Sequence, residues 1–448
     1  MRPSSSSGSP GDRLHRRNSA LASIDRMHHV TPPHRLRLTG LDAARGLAVL
    51  GMFAAHVGAA HTAFDWSDPS SWPDLVNGRS AILFALCAGA SLVLLTTGPG
   101  PAGRVRDRRH VLARAATLLA IGGLLTLVPG GVLVILPTYA VLFVAALPFL
   151  RLRLRWVVLA AALSLVVGPV LALVGQAVVD MTGGSSIAGL LFTGYPAVSW
   201  FGIVLAGVLV ARLGLDRTDV LRRVLLVGAV LATAGYGAGA ALGAALGITG
   251  PVGTMIPVDP SGGSVSGSAP VAPASPAGGP DVVAENPPFP SIEWSRLLDV
   301  TPHAGSTFEL VGALGVALAV LAALGLVARR SPTVLLPLSA VGRLALTLYC
   351  AHVLVIGVWS RSGKPDPLPV LGGWGPFVVL LVAAVVAALL VHRSGRRGPL
   401  EALTRRPPEH SMTRRPRHPD TEQDRTRTTK PPRPRWSRGL PTGRGWVS

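Results

Sequence analysis

The chain has 448 residues, of which 49% are hydrophobic and only 14% are charged, and its formal net charge is +20. Soluble globular proteins carry about 25% charged residues, so this composition argues against a water-soluble fold. It also excludes a chain that is disordered throughout, because disordered chains are poor in apolar residues. Cys87 and Cys350 both lie in apolar runs, and two thiols cannot build a disulfide framework or a metal cluster.

The first predicted element is a disordered basic tail over residues 1–38. It holds seven arginines against Asp12 and Asp25 and has no hydrophobic periodicity. It also lacks the apolar stretch of a cleavable signal peptide. A second disordered basic tail is predicted over 394–448. Beside a membrane domain, we expect both tails to contact anionic lipid head groups rather than nucleic acid.

Between the tails, residues 39–393 are predicted to form an all-α domain that crosses a membrane many times. A helix that crosses a bilayer needs about 20 apolar residues. Ten apolar runs meet or approach that length. These runs lie near 41–62, 80–98, 111–128, 131–150, 156–176, 197–213, 223–247, 307–328, 334–358 and 374–392.

The charge of the loops tests the count of ten crossings independently, because cytoplasmic loops carry an excess of arginine and lysine. With the amino terminus inside, the loops that return to the cytoplasm contain Arg104, Arg106, Arg108, Arg109, Arg151, Arg153, Arg155, Arg217, Arg222, Arg329 and Arg330. The opposite loops, 63–79 and 248–306, are acidic on balance. The pattern predicts a multi-pass protein of the cell membrane with both termini in the cytoplasm. Within the second loop, 259–280 has the composition of a flexible linker.

Ionisable side chains inside the apolar segments are costly, so each is a candidate functional residue. Asp42 and Arg45, in the first segment, are three residues apart and are neighbours on a helix. His56 follows Arg45 by eleven residues, which places it within about 20° of the same direction and about 16 Å farther along the axis. Two simpler interpretations stay open: an interfacial ion pair for Asp42 and Arg45, and an interhelical hydrogen bond for His56.

Four more candidates lie in other segments: Arg79 at the start of the second, His303 just before the eighth, and Arg343 and His352 in the ninth. Nine residues separate Arg343 from His352, so a straight helix would place them on opposite faces. Snorkelling of Arg79 and an ordinary loop position for His303 are the alternatives. Histidine suits proton transfer and acyl transfer. No histidines have the spacing of a helical metal site, so we predict no metal.

The first segment opens with Arg37, Leu41, Asp42, Arg45 and Gly46 in the pattern R-x-x-x-L-D-x-x-R-G, followed by a hydrophobic run. This opening resembles that of the heparan-α-glucosaminide N-acetyltransferase-like membrane family. The stretches 77–91, 302–309 and 342–347 and the ending 398–401 look like bacterial, especially actinobacterial, proteins grouped with it. The likeness covers about 36–405 in patches.

The resemblance implies acyl transfer across a membrane, with acyl-CoA (acetyl-CoA) as the cytoplasmic donor and a glycan or other small hydroxyl or amine compound as the acceptor. It also implies a histidine between the first two helices, but this chain has Asp65, Asp68 and Asp74 there, so that histidine is not carried over by position. His56 or His61 could take its place. Of the histidines in the apolar segments, we take His56 and His352 as the candidate catalytic residues. The candidate substrate-binding residues are Asp42, Arg45, Arg79, His303 and Arg343.

A transporter or flippase that uses the same polar path is the alternative from another functional class. Transporters often contain broken helices in matching halves, and the sequence shows no such pair. A third alternative is a scaffold whose basic tails recruit partners. The sequence names neither the acceptor nor the acyl group, and it leaves oligomer formation open.

Overall fold

The computed structural model describes eight stretches of the chain: 33–57, 67–96, 100–128, 132–183, 186–248, 292–362, 367–371 and 373–404. All of them belong to one compact unit, Met1–Arg406. The predicted linker 259–280 and most of both predicted tails lie outside the described residues.

The described residues are helical and contain no β-strand. In chain order the helices are α1 Pro33–Val57, α2 Arg79–Leu95, α3 Gly100–Leu125, α4 Leu136–Ala146, α5 Leu154–Thr182, α6 Ser186–Phe192, α7 Ala197–Leu213, α8 Thr218–Ala245, α9 Thr307–Arg330, α10 Leu336–Arg343, α11 Ala345–Ser362, α12 Gly375–Arg393 and α13 Pro399–Leu403. Short 3₁₀ turns cover Pro69–Leu75, Trp294–Leu298 and Pro369–Leu371.

Several helix ends follow from local sequence. The hydroxyl of Ser306 accepts a hydrogen bond from the N–H of Glu309 at 3.0 Å and so starts α9, as in the S-x-x-E capping pattern. Helices α4, α10, α12 and α13 each carry a proline in the first turn, where a missing N–H leaves no bond unmade. Gly183 ends α5 in the left-handed conformation.

The predicted all-α membrane class is confirmed, and each of the ten predicted segments overlaps a described helix. Within the described ranges, α5, α8, α9 and α12 are long and apolar enough to cross a membrane, and the bent pair α10–α11 is a fifth candidate. Helices α2, α4 and α7 are apolar but shorter, at 17, 11 and 17 residues. The number of ten crossings therefore stays a prediction.

The ninth segment is not the straight helix that the sequence analysis assumed. It breaks at Leu344, and α10 and α11 are bent by 77° relative to each other. Gly342 lies so close to α1 that a Cβ atom there would meet the carbonyl oxygen of Asp42. The argument that Arg343 and His352 lie on opposite faces of one straight helix is therefore wrong, because the bend redirects everything after Leu344.

The core of the bundle lies around α2, α7 and the middle of α1, whose residues are largely buried. Helices α5, α8 and α12 lie at the periphery and expose rows of large apolar side chains: Leu159, Leu163, Val166, Leu226, Val230, Val382 and Val386. An apolar surface of this extent is a liability in water and the normal state in lipid. This arrangement is that of a polytopic membrane protein.

The end of the described chain is fixed to the bundle by Glu401. Its carboxylate accepts hydrogen bonds from the Thr347 hydroxyl at 2.6 Å and from the Thr347 N–H at 3.0 Å. These bonds hold α13 against the first turn of α11, so part of the segment that the sequence analysis gave to the tail is ordered structure. The residues that follow Thr404 lie outside the described residues.

Candidate functional site

The first polar group of interest, the ion-pair cluster, consists of Asp42, Arg45 and Ser91. As the i,i+3 spacing predicts, Arg45 Nη1 donates to Asp42 Oδ1 at 2.7 Å. Arg45 Nη2 donates to the Ser91 hydroxyl at 2.8 Å, and Nη1 also approaches the carbonyl oxygen of Gly342 at 3.3 Å. One guanidinium thus joins α1, α2 and α10. The two charged side chains keep 20% and 17% of their surface exposed, so the cluster is partly accessible.

The second group is the histidine pair, His56 on α1 and His352 on α11. His56 Nδ1 and His352 Nε2 lie 3.1 Å apart, a hydrogen-bonding distance. His352 is 1% exposed, whereas His56 is partly exposed. The sequence analysis chose both residues separately. Nothing in a spacing of 296 residues could indicate that they touch.

Aromatic rings hold His352 in place. The ring of Phe53 lies 4.7 Å from the His352 ring, and the ring of Tyr349 lies 5.1 Å from it in an edge-on arrangement. Tyr349 is fixed in turn, because its hydroxyl accepts a hydrogen bond from the N–H of Ile135 at 3.3 Å. The imidazole of His352 therefore has little freedom to reorient.

The third group surrounds the start of α2. Arg79 Nε donates to the Tyr236 hydroxyl at 2.9 Å, and the guanidinium lies 5.0 Å from the centre of that ring. Arg79 also donates to the carbonyl oxygen of Asp74 at 3.0 Å. Two residues before Arg79, the side-chain oxygen of Asn77 lies 2.8 Å from His303 Nε2. The guanidinium of Arg79 is therefore held by protein groups and does not simply extend to the membrane surface.

A small cavity of about 20 Å³, here the Glu309 cavity, adjoins this third group. Its volume suits one ordered water molecule. It is lined by Gly78, Ile82, Gly194, Pro196, Trp200, His303, Gly305, Glu309 and Leu310. Glu309 contributes a carboxyl group to this lining, in a residue only 3% exposed. Glu309 ends the stretch 302–309 and is not among the predicted site residues; its S-x-x-E capping pattern with Ser306 is the sequence signal that could have indicated it.

Backbone strain is concentrated on the lining of the Glu309 cavity. Three of its glycines have positive φ angles, and His303 has φ of 68°. Among the described residues His303 is the one non-glycine residue with a positive φ. The left-handed region of φ and ψ disfavours residues with a Cβ atom, and strained residues persist where the surroundings hold them in place.

In the turn before α7, burial raises the pKa of Tyr195 to about 12, so this phenol beside Trp200 stays protonated.

The structure does not bring all the predicted site residues together. Arg343 Nη1 lies 2.5 Å from His392 Nδ1 on α12, so the Arg343 side chain points away from the ion-pair cluster. The contact of α10 with that cluster is made by the carbonyl group of Gly342. A second cavity of about 10 Å³, near Gly40 and Arg329, is lined mainly by apolar residues. Neither this cavity nor the Glu309 cavity includes Asp42, Arg45 or His56 in its lining. A path that joins these side chains stays a prediction.

Within the part of the chain that the structure describes, no group of three or more His, Cys, Asp and Glu side chains is placed to hold a metal ion. The chemistry available at the three groups is that of carboxylate, guanidinium, hydroxyl and imidazole. Imidazole is the side-chain group whose ordinary chemistry includes both accepting and donating a proton near neutral pH. Of the three groups, the histidine pair is therefore the best suited to proton transfer.

Comparison with known families divides the chain in two. Residues 37–235 match the family described as heparan-alpha-glucosaminide N-acetyltransferase, catalytic. Residues 290–407 match a family described as protein of unknown function (DUF418). A search of curated proteins gives no significant match. The histidine pair draws one residue from each matched region, and so does the hydrogen bond between Asn77 and His303.

Proposed function

We propose that the chain is a membrane acetyltransferase that moves an acetyl group across the cell membrane, because residues 37–235 match the family described as heparan-alpha-glucosaminide N-acetyltransferase, catalytic. The donor is cytoplasmic acetyl-CoA, and the acceptor is a hydroxyl or amine on a sugar or similar compound at the opposite face. A bond forms between the acetyl carbon and the acceptor oxygen or nitrogen, and the thioester bond breaks. The acceptor proton ends on the thiol of CoA.

The donor is expected at the end of the domain where the ion-pair cluster lies. CoA carries phosphate groups, and guanidinium groups bind phosphate strongly. Arg45 makes three hydrogen bonds to protein groups and has five N–H donors, so it retains capacity for a ligand. Asp42 holds the guanidinium in one orientation. Arg343 is the second candidate for the phosphates, and the arginine-rich loops predicted to face the cytoplasm would add to the attraction.

The histidine pair is expected to provide the base. An acceptor hydroxyl must lose a proton as it attacks the acetyl carbon, and an ammonium group must lose one before it attacks; a positioned imidazole supports either step. The partly exposed His56 and the buried His352 are hydrogen bonded between α1 and α11. His56 lies about 16 Å along α1 from Arg45, so a donor held at Arg45 would have to extend its thioester arm along α1.

The acceptor is expected near Arg79 and His303. Both side chains are already oriented by neighbours, Tyr236 and Asn77. Glu309 places a carboxyl group beside His303 on the cavity lining. Hydroxyl-rich compounds are bound by such sets of fixed donors and acceptors.

The observation that carries this proposal is the hydrogen bond between His56 and His352, because it unites a residue of the region matched by the catalytic family with a residue of the second matched region. The transport alternative has the broken helix pair α10–α11 in its favour, but the described residues contain no matching break in another segment. We further propose that the basic tails contact anionic lipid at the cytoplasmic face.

The test is an acetyl-CoA turnover assay on purified protein in liposomes, with glucosamine as the first acceptor. Release of free CoA thiol and acetylated glucosamine are measured together. We expect His56→Ala and His352→Ala each to lower turnover by about 10²-fold or more. His110→Ala, on α3, is the matched control and should keep full turnover. Undiminished turnover in both site variants would eliminate the pair, and glucosamine flux without thiol release would favour transport.

A further inference from the structure

A strongly basic surface, here the arginine surface, lies on the side of the domain predicted to face the cytoplasm. It comprises residues 104–109 of α3 and residues 151–156 around the start of α5. We infer that the arginine surface is a binding site for an anionic phospholipid. The site belongs to the folded domain and is separate from the two basic tails, and it does not depend on the proposed acetyl transfer.

The arginine surface carries far more positive than negative charge. It contains seven arginines and one acidic residue, Asp107. Asp107 is only 5% exposed and is already bound by Arg151. All seven arginines are exposed: Arg104, Arg106, Arg108, Arg109, Arg151, Arg153 and Arg155. The surface therefore has a surplus of positive charge that an anion from outside the chain can neutralise.

Two contacts bring the two arginine runs together, although 44 residues separate Asp107 from Arg151 in the sequence. Arg151 Nη2 donates to Asp107 Oδ2 at 3.0 Å. Arg212 of α7 donates to the carbonyl oxygen of Leu152 at 2.7 Å. The turn before α5 is thus fixed to α3 and to α7. An excess of arginine is expected in any cytoplasmic loop, but that rule does not require two loops to be joined.

The arginines of α3 have a reason to bind an anion. Arg104 and Arg108 are four residues apart and are neighbours on the helix, where like charges repel. In the part of the chain that the structure describes, neither they nor Arg153 form a hydrogen bond or ion pair with another side chain. A guanidinium binds phosphate through parallel N–H bonds. A phosphate group beside these residues would therefore relieve the repulsion.

The apolar side chains of the arginine surface favour a lipid over a soluble phosphate compound. Trp156 is 49% exposed, and the Arg155 guanidinium lies 5.4 Å from the centre of its ring. Tryptophan is enriched where a membrane meets water. From Trp156 the exposed row of Leu159, Leu163 and Val166 continues along the same side of α5. A lipid phosphate at the arginines would thus have its acyl chains along this row, whereas acetyl-CoA has phosphates but no long apolar chain.

The test is native mass spectrometry of the full-length protein in a neutral detergent, with phosphatidylglycerol or phosphatidylcholine added. The two lipids share a phosphate and differ in net charge. We expect phosphatidylglycerol to bind more tightly, and Arg153→Gln with Arg155→Gln to raise its Kd about 10-fold or more. Arg222→Gln with Arg223→Gln, at the exposed start of α8, is the matched control and should keep the native Kd. Equal losses in the two double variants, or equal binding of the two lipids, would overturn the site.

Asp107→Asn distinguishes an assembled site from general attraction by charge. The variant gains one net positive charge but loses the ionic partner that holds Arg151. General attraction predicts a lower Kd for phosphatidylglycerol, whereas the assembled site predicts a Kd that rises several-fold. Thermal unfolding without added lipid checks that the variant is folded; if it is not, the exposed arginine pairs decide. Tighter binding by the folded variant would contradict the inference.

Competition identifies the source of the phosphate. Inorganic phosphate and CoA, each at the concentration of the lipid, should leave phosphatidylglycerol bound. Displacement by CoA would assign the surface to a nucleotide and overturn the lipid site. None of these measurements uses acetyl turnover, so the lipid site and the proposed function can fail separately.

Discussion

Replacement of His303 separates the cost of its backbone conformation from the use of its side chain. His303 has φ of 68° on the lining of the Glu309 cavity. For a residue with a Cβ atom this conformation costs about 1–2 kcal/mol. The hydrogen bond from His303 to Asn77, at 2.8 Å, contributes about 0.5–1.5 kcal/mol in return. The two effects oppose each other and are of similar size.

Two variants separate the cost of the backbone strain from the contribution of the hydrogen bond to Asn77. His303→Ala loses the hydrogen bond and keeps the strain, so it should be destabilised by about 1 kcal/mol. His303→Gly loses the same bond but also loses the strain, offset in part by the flexibility of glycine in the unfolded chain. We expect His303→Gly to be more stable than His303→Ala by about 1 kcal/mol, or about 2 °C in Tm. Thermal unfolding in one detergent measures the difference.

Activity should behave differently from stability in these two variants. If His303 contacts the acceptor, both variants lose the side chain and should show a similar rise in the KM for glucosamine, whatever their Tm. Equal Tm values for Gly and Ala would refute the strain at this position. A native KM in both variants would remove His303 from the acceptor site.

Three further changes test other contacts. Gly342→Ala puts a Cβ atom against the Asp42 carbonyl and should lower the free energy of unfolding by about 1–3 kcal/mol in the thermal unfolding assay. Gly123→Ala is the control, because a Cβ atom there meets nothing within 4 Å, and it should be neutral or stabilising in the same assay. Glu401→Gln keeps the shape of the side chain but weakens its bonds to Thr347, and should lower stability by about 1 kcal/mol; an unchanged Tm would mean that α13 does not support the bundle. Arg45→Lys cannot reproduce bonds to Asp42, Ser91 and Gly342 together, so the KM for acetyl-CoA should rise at least several-fold, and an unchanged KM would place the donor elsewhere.

The lengths of the apolar runs predicted where helices occur, because an apolar segment that spans a bilayer must satisfy its own backbone hydrogen bonds, and a single such segment does so as a helix. They could not predict the break at Leu344. The break lies two residues after Gly342, which packs closely against α1, and such a tertiary contact leaves little trace in local composition. The same limit applies to the short helix α13, whose order depends on Glu401 reaching Thr347, a residue far away in the sequence.

Helical periodicity predicted the pairing of Asp42 with Arg45, since both lie on one helix. It could rank His56 and His352 as costly intramembrane residues but could not show that they meet. Contacts between helices are set by packing, and one sequence without its three-dimensional structure does not give the partner. Tyr236 and Ser91, which bind Arg79 and Arg45, were missed for this reason, because a lone hydroxyl in an apolar segment carries no signal.

The two matched regions act as one structural unit at each polar group. The Arg45 guanidinium of the first region contacts the Gly342 carbonyl of the second, His56 contacts His352, and Asn77 contacts His303. A region that was merely appended to a catalytic domain would touch it at the surface, and its removal would leave the polar side chains of the first region satisfied. Here its removal would leave partly buried polar groups without these partners, which is costly in a membrane. The second region, of unknown function by description, is therefore part of the same candidate site in this chain.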